Sequence, residues 1–93
     1  MAMYETQEVK DLIPELLRNS LWIALANVKK PSSSHRFELS VLRMDEKVYQ
    51  YIIHTQRDST YWKEFRFETE SPVDDMTVHI VGFESNWLML IYS

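Results

Sequence analysis

The chain has 93 residues, of which 10 are Lys or Arg and 14 are Asp or Glu, so its formal net charge is −4. This length predicts one small globular domain over residues 1–93, with little room for a deep internal active site. Because the chain has no cysteine, a disulfide scaffold, a thiolate metal site and a cysteine nucleophile are excluded. No apolar run reaches the roughly 20 residues that span a bilayer, and no signal-peptide pattern is present, so we expect a cytoplasmic protein without membrane contact.

The acidic charge is concentrated in the second half of the sequence. Residues 58–86 carry seven acidic side chains against Lys63 and Arg66. Without a basic stripe, the domain gains little of the counterion release that dominates nucleic-acid affinity, so we expect no direct binding to DNA or RNA. The same segment leaves open a role as an acidic inhibitor of a nucleic-acid-binding protein, although its charge is much sparser than that of DNA.

One amphipathic helix is predicted in the first third of the chain. Its apolar stripe, with spacings of three or four residues, consists of Leu17, Leu21, Ala24, Leu25 and Val28. The helix is expected to begin between Asp11, a capping residue type, and Pro14. It is expected to end before Pro31, which begins a polar connector.

After the connector, apolar and polar residues alternate, which is typical of half-buried strands. The predicted strands are 36–41, Lys47–Gln56, 61–68, Met76–Phe83 and Trp87–Tyr92. Short connections between them favour antiparallel pairing. The predicted class is therefore α+β, with one amphipathic helix packed on an antiparallel sheet of about five strands. A short strand near Tyr4–Val9 is a further candidate for a sheet edge.

Blocks of residues along most of the chain resemble a known family. They are Tyr4-Glu5-Thr6, Ile13-Pro14-Glu15-Leu16, Leu21-Trp22, Phe37-Glu38-Leu39-Ser40, Gln50, Ile52-Ile53-His54-Thr55-Gln56, Tyr61, Phe65, Phe67 and Ser71-Pro72-Val73. In these blocks the chain resembles small uncharacterised proteins of Gram-positive bacteria and their prophages, the domain-of-unknown-function family numbered 960. The resemblance implies an intracellular bacterial or phage protein without an established enzyme activity. The apolar residues 87–93 depart from the acidic tail that is usual in that family.

The sequence contains no pattern typical of catalysis or of metal binding. His54 and His79 could meet on neighbouring strands, but a metal site needs at least three converging ligands and no third is marked by its spacing. The single glycine, Gly82, excludes the glycine-rich loops that bind phosphate groups. We therefore expect no catalytic residue, no metal ion, no cofactor and no enzyme activity.

A row of polar side chains follows one face of the second predicted strand. Gln50, His54 and Gln56 alternate there, and Tyr61 extends the row beyond the next turn. The simplest interpretation is a solvent-facing row that serves solubility or recognition; an inward-facing row would instead form a hydrogen-bonded patch. If these side chains surround a pocket, the protein is a small-ligand binder or an enzyme.

The predicted helix has a second apolar surface besides its core stripe. Leu16 and Ile23 are seven residues apart and nearly opposite that stripe, and Trp22 lies at the boundary. Together they would form an exposed patch of the kind that binds a partner.

The last predicted strand is apolar on both faces. Leu88, Leu90 and Tyr92 share one face, and the residues between them are also apolar. One helix covers only one face, so the other needs a homodimer, another protein or residues 1–12 docked across it. The sequence thus favours a non-enzymatic protein-interaction domain with an accessory or regulatory role.

Overall fold

A six-stranded sheet forms the body of the protein in the computed structural model, which describes residues 2–92. In chain order the elements are β1 (Met3–Glu5), α1 (Gln7–Leu12), α2 (Glu15–Ala26), β2 (Ser34–Met44), β3 (Lys47–Gln56), β4 (Trp62–Glu68), β5 (Met76–Phe83) and β6 (Asn86–Tyr92). The strand order is β1-β6-β5-β2-β3-β4. Both helices lie on one face of this sheet, where their buried side chains join the core.

The predicted α+β class is confirmed, but the number of elements and the sheet type differ from the prediction. The sheet is mixed because β1 pairs in parallel with β6, whereas the other neighbouring strands are antiparallel. The structure has one helix more than the sequence predicts, α1. Its N-terminus is capped by the Thr6 hydroxyl, which accepts a hydrogen bond from the Val9 amide. The short edge strand expected near Tyr4–Val9 is present as β1, but it covers only Met3–Glu5, and Gln7–Leu12 form α1 instead. Helix α1 is too short to show a periodic pattern in the sequence.

Helix α2 is shorter than its apolar stripe predicts. Pro14 occupies its N-cap, and the helix ends at Ala26, where the amide of Asn27 still donates to the Ile23 carbonyl. Val28 therefore lies beyond the helix and is half-buried. The helical part of the stripe is buried against the sheet at Leu17, Leu21 and Leu25.

The hydrophobic core fills the space between the helices and the middle of the sheet. Alternate residues of the central strands enter it, in agreement with a period of two residues. Its buried members are Val9, Ile13, Leu17, Leu21, Leu25, Phe37, Leu39, Ile52, Val78, Ile80 and Met89. Burial of these side chains is the main stabilising term for a domain of this size.

Polar contacts of Glu5 fix the N-terminal segment to α2. Its carboxylate accepts a hydrogen bond of 2.9 Å from the Trp22 indole. The carboxylate also forms an ion pair with Arg18, whose Nε is 3.2 Å away but is not oriented to donate a hydrogen bond to it. Arg18 also donates to the carbonyl of Ile13 at the end of α1. These contacts hold β1 and α1 at the β6 edge.

The second face of the sheet has no covering layer within residues 2–92. We call it the open face. It carries Leu88, Leu90 and Tyr92, of which Tyr92 is 66% exposed and the two leucines are half-buried. The expected docking of residues 1–12 across this face does not occur over residues 2–12, because β1 extends the sheet edge and Val9 packs into the core on the other face.

Both two-residue hairpin turns have positive φ angles without a glycine. In the β2–β3 turn, Asp45 and Glu46 have φ angles of 50° and 65°. This conformation costs a non-glycine residue about 1 kcal/mol, whereas Asp-Gly is well suited to such a turn. We therefore expect Glu46→Gly to raise the free energy of unfolding by up to about 1 kcal/mol in urea titrations. Lys47→Gly, one residue later in β3, is the control and should lower it; a loss of stability in both variants would contradict this account of the turn.

Candidate ligand-binding groove

A groove of about 970 Å³ lies between α2 and the β3–β4 side of the sheet. An α-helix with its side chains is roughly 10–12 Å wide, whereas strands spaced about 4.8 Å apart make six strands more than 20 Å wide. The helical layer therefore does not reach across β4. One flank of α2 and the helix-facing side of β4 form the walls, which include Ser20, Ile23, Asn27, Tyr61, Phe65 and Phe67.

The apolar part of the groove is formed by two aromatic side chains of β4. Phe65 pairs with Ile52 and Phe67 with Gln50 in the β3–β4 register, so both point to the helix side of the sheet. They are only half-buried. Across the groove, Ile23 is 61% exposed. These side chains present apolar surface to a ligand.

A pair of buried histidines lies beside the groove, and one of them, His54, lines it. The Nδ1 atom of His35 is 2.9 Å from Nε2 of His54, and the Nε2 atom of His35 is 3.0 Å from the carbonyl oxygen of Ser32. Because a carbonyl only accepts, Nε2 of His35 carries its hydrogen, and in the neutral pair His54 donates to His35 from Nε2. His54 also stacks on Phe37, with 4.2 Å between ring centroids, and contacts the edge of Tyr61.

Burial keeps this histidine pair uncharged. It lowers the pKa of His54 to about 4, and repulsion from His35 acts in the same direction. Burial also lowers the pKa of His35, although its hydrogen bond to Ser32 opposes the shift. Near neutral pH, Nδ1 of His54 is therefore a hydrogen-bond acceptor, and within residues 2–92 no group donates to it.

Gln56 connects the groove to the segment that follows α2. Its side-chain oxygen accepts a hydrogen bond of 2.6 Å from the Ser32 amide. This contact fixes the orientation of the side-chain amide. Among the residues described, no acceptor binds its NH₂ group, and Gln56 lines the groove. An unused donor thus lies close to His54.

Gln50 belongs to the frame of the sheet. It donates to the carbonyls of Ser40 and Val73, and its oxygen accepts from the Val73 amide at 2.7 Å. The two bonds to Val73 attach the loop before β5 to the sheet, and the bond to Ser40 joins β3 to β2. The side chain does not line the groove.

The structure thus divides the polar row that the sequence predicts. The simpler interpretation, a solvent-facing row, is wrong, because Gln50 and His54 are 1% exposed and Gln56 is 9% exposed. His54, Gln56 and Tyr61 line one groove, and Gln50 does not. His35, the partner of His54, was missed; its only signal is its alternation with Phe37 on the same strand face.

Three lysines add positive charge to the groove. Lys29 and Lys30 follow α2, and Lys63 is directly opposite His54 in the β3–β4 register. Nothing in the sequence marks these three lysines as site residues, because charged residues in a connector or on an edge strand are normally solvated. In the described part of the chain none of them forms an ion pair.

The three residues of the predicted apolar patch on the helix, Leu16, Trp22 and Ile23, lie in different places. Trp22 is half-buried and bound to Glu5, on the flank of α2 nearer β1. Leu16 and Ile23 are both largely exposed, but only Ile23 lines the groove. The three side chains therefore do not form one surface.

His54 and His79 do not approach one another. His54 faces the helices, whereas His79 lies on the open face beside Tyr92, with 4.9 Å between ring centroids. Burial, and then the charge of Arg36, lowers the pKa of His79. Residues 2–92 contain no group of three or more His, Asp or Glu side chains that could hold a metal ion.

Comparisons with known proteins give the fold without a function. No protein-family model matches the chain, and no curated protein is similar to it. A crystal structure of a protein of unknown function from Enterococcus faecalis is similar, with a TM-score of 0.69, 16% identity and coverage of 96% of this chain and 85% of the other. At this identity the likeness shows the fold alone, and the resemblance to the family numbered 960 stays a prediction. No helix within residues 2–92 is long and apolar enough to cross a membrane.

The buried histidine pair predicts acid destabilisation. An unfolded histidine has a pKa of 6.5, and His54 in the folded protein has a pKa of about 4. As the pH falls between these values, the unfolded chain binds protons that the folded protein does not, so the free energy of unfolding decreases. We expect His54 to contribute a loss of about 2 kcal/mol between about pH 7 and pH 5, measured by urea titration.

His54→Gln keeps an N–H donor toward His35 but does not titrate, so it should remove much of this pH dependence. His79→Gln is the control, because its side chain lies on the other face of the sheet and is not part of the buried pair, so this variant should keep the pH dependence that comes from His54. An unchanged pH dependence in His54→Gln would show that the buried pair does not control acid stability.

Proposed function

We propose that the protein is a small non-enzymatic interaction domain that binds another polypeptide through the open face of its sheet. The occupant that we propose is a second copy of this chain. The observation that carries the proposal is an apolar strip on that face, formed by Tyr4, Leu88, Leu90 and Tyr92. Leaving such side chains in water forgoes roughly 25 cal/mol for each Å² of apolar surface, a large amount for a small domain.

The strand register makes this strip continuous. Tyr4 pairs with Leu88, which pairs in turn with Val81 of β5, and paired residues project from the same face. Leu90 and Tyr92 follow Leu88 at spacings of two residues. The strip therefore runs the length of β6 and extends over its neighbours on both sides.

The size of the open face is adequate for a dimer. Its five longer strands have 7 to 11 residues. With about 3.4 Å per residue and about 4.8 Å between strands, the face measures on the order of 600–900 Å². A standard interface buries about 800 Å² on each partner.

The charges on the open face also favour a second copy. Arg36 and Glu38 form an ion pair of 3.3 Å. On the neighbouring strands the Glu64 carboxylate accepts a hydrogen bond from the Tyr51 hydroxyl. Arg66 lies over the Tyr49 ring, with 5.6 Å to its centroid. The strand registers place Lys47 and Glu68 on the same face. Three bases and three acids therefore balance one another, so two such faces can approach without net repulsion.

A cytoplasmic accessory or regulatory role, in a Gram-positive bacterium or its prophage, is part of this proposal and is supported by the sequence resemblance alone. The alternative of an acidic inhibitor has less support. Asp58 and Glu84 follow the ends of β3 and β5, whereas Glu68 and Glu70 lie at the opposite end of the sheet. The acidic charge of residues 58–86 is therefore divided between two ends of the molecule.

Small-ligand binding is a second candidate function, favoured by one observation. His54, Gln56 and Tyr61 converge on a groove of about 970 Å³. Ligand pockets typically have volumes of about 300–1,000 Å³ and combine apolar walls with a few polar groups. The two functions use opposite faces of the sheet and are compatible with each other.

Sedimentation equilibrium tests the proposed interaction. We expect the wild-type chain to form dimers as its concentration rises. Tyr92→Asp should weaken the association at least about tenfold, because the interface would bury an unpaired charge. Since Tyr92 is exposed in the single chain, this variant should remain folded.

Leu16→Asp is the matched control, because Leu16 is equally exposed on the helical face. It should leave the association unchanged. A wild-type protein that is monomeric at every concentration contradicts the proposal, as does an equal loss of association in both variants.

A further inference from the structure

The free polar groups at one end of the groove have a common chemistry. Lys63 lies opposite His54, and the amide NH₂ of Gln56 has no acceptor within the described range. Lys29 and Lys30 line the same groove. These side chains are all donors, and three of them are cationic; an acceptor beside them, Nδ1 of His54, belongs to a side chain that is 1% exposed. The exposed polar groups therefore match a ligand that accepts hydrogen bonds and carries negative charge.

No acidic group neutralises these lysines. Glu64 is the acidic residue that lines the groove, and its carboxylate is occupied by the Tyr51 hydroxyl on the open face. The described residues contain no ion pair that involves a lysine. The positive charge is therefore available to a ligand.

The other end of the groove is apolar. Phe65 and Phe67 follow Lys63 at spacings of two residues along β4, so the three side chains project from the same side of the strand. Lys63 and Phe67 are about 13 Å apart along the strand. Ile23 forms the facing wall. The groove thus separates a cationic end from an apolar end.

We propose that the groove binds a small carboxylate with an apolar chain or ring. The carboxylate is placed at Lys63 and Gln56, and the apolar part lies between Ile23 and the two phenylalanines. This inference rests on the second candidate function above and names its ligand class. The volume of about 970 Å³ fits a small molecule, with room for its solvation, better than a folded partner.

Calorimetry with three probes of equal chain length tests the inference: decanoate, decanol and decyltrimethylammonium. At low ionic strength, decanoate should bind at least about tenfold more tightly than decanol, because three cations act over less than one Debye length. Added salt should reduce this difference. The cationic probe should bind most weakly.

Two variants locate the site, and each has a matched control. Lys63→Gln should weaken decanoate binding about two- to fivefold and leave decanol binding unchanged. Lys47→Gln, at the distant β2–β3 turn, should change neither. Ile23→Gln should weaken both probes about tenfold, whereas Leu16→Gln, outside the groove, should weaken neither.

Three outcomes would overturn the inference. Equal binding of decanoate and decanol would refute the carboxylate while leaving a ligand-binding groove in place. Failure of all three probes to bind the folded protein would refute both the ligand class and the ligand-binding function. Self-association that is lost in Ile23→Gln but not in Tyr92→Asp would show that a second copy occupies the groove.

Discussion

The width of the helical layer is the constraint on which the other features of this structure depend. Two helices of 6 and 12 residues lie on one face of a six-stranded sheet, and the opposite face has no layer within residues 2–92. The core is therefore complete only under α1 and α2. Beyond α2, half-buried Phe65 and Phe67 line a groove, and on the open face Leu88 and Leu90 are half-buried and Tyr92 is exposed. Both proposed binding surfaces follow from this shortage of cover.

Two buried polar side chains of β3, Gln50 and His54, differ in how their polar atoms are bound. Gln50 makes three hydrogen bonds with the backbone, so its burial is balanced by contacts in the fold. His54 differs, because it has one partner, His35, and a second ring nitrogen that is unpaired. The two residues are four positions apart on one strand face and look alike in the sequence. Their hydrogen-bond partners and positions distinguish them: Gln50 supports the fold, whereas His54 lines the groove.

Alternation in the sequence predicts most of the sheet. The bounds of Lys47–Gln56 and Met76–Phe83 agree with the structure, because polar turns flank a clear period of two. In residues 2–12 the sequence predicts the edge strand but not the helix α1, because six residues are too few to show a helical period. Alternation also does not indicate which face of a strand is buried. That Gln50 and His54 point toward the helices becomes clear only when the neighbouring strands and helices are in place. The charge of the groove depends on Lys29 and Lys63, which are far apart in the sequence, lining the same groove, and no local pattern predicts this.

Solvent paramagnetic relaxation, measured by NMR with a soluble gadolinium chelate, tests most directly whether the helical layer leaves β4 uncovered. The ring protons of Phe37, which is fully buried, serve as the internal reference. We predict that the rings of Phe65 and Phe67 relax clearly faster than the ring of Phe37. Equal protection of all three rings would contradict the account, because it would mean that the helices close over β4 and that no groove exists.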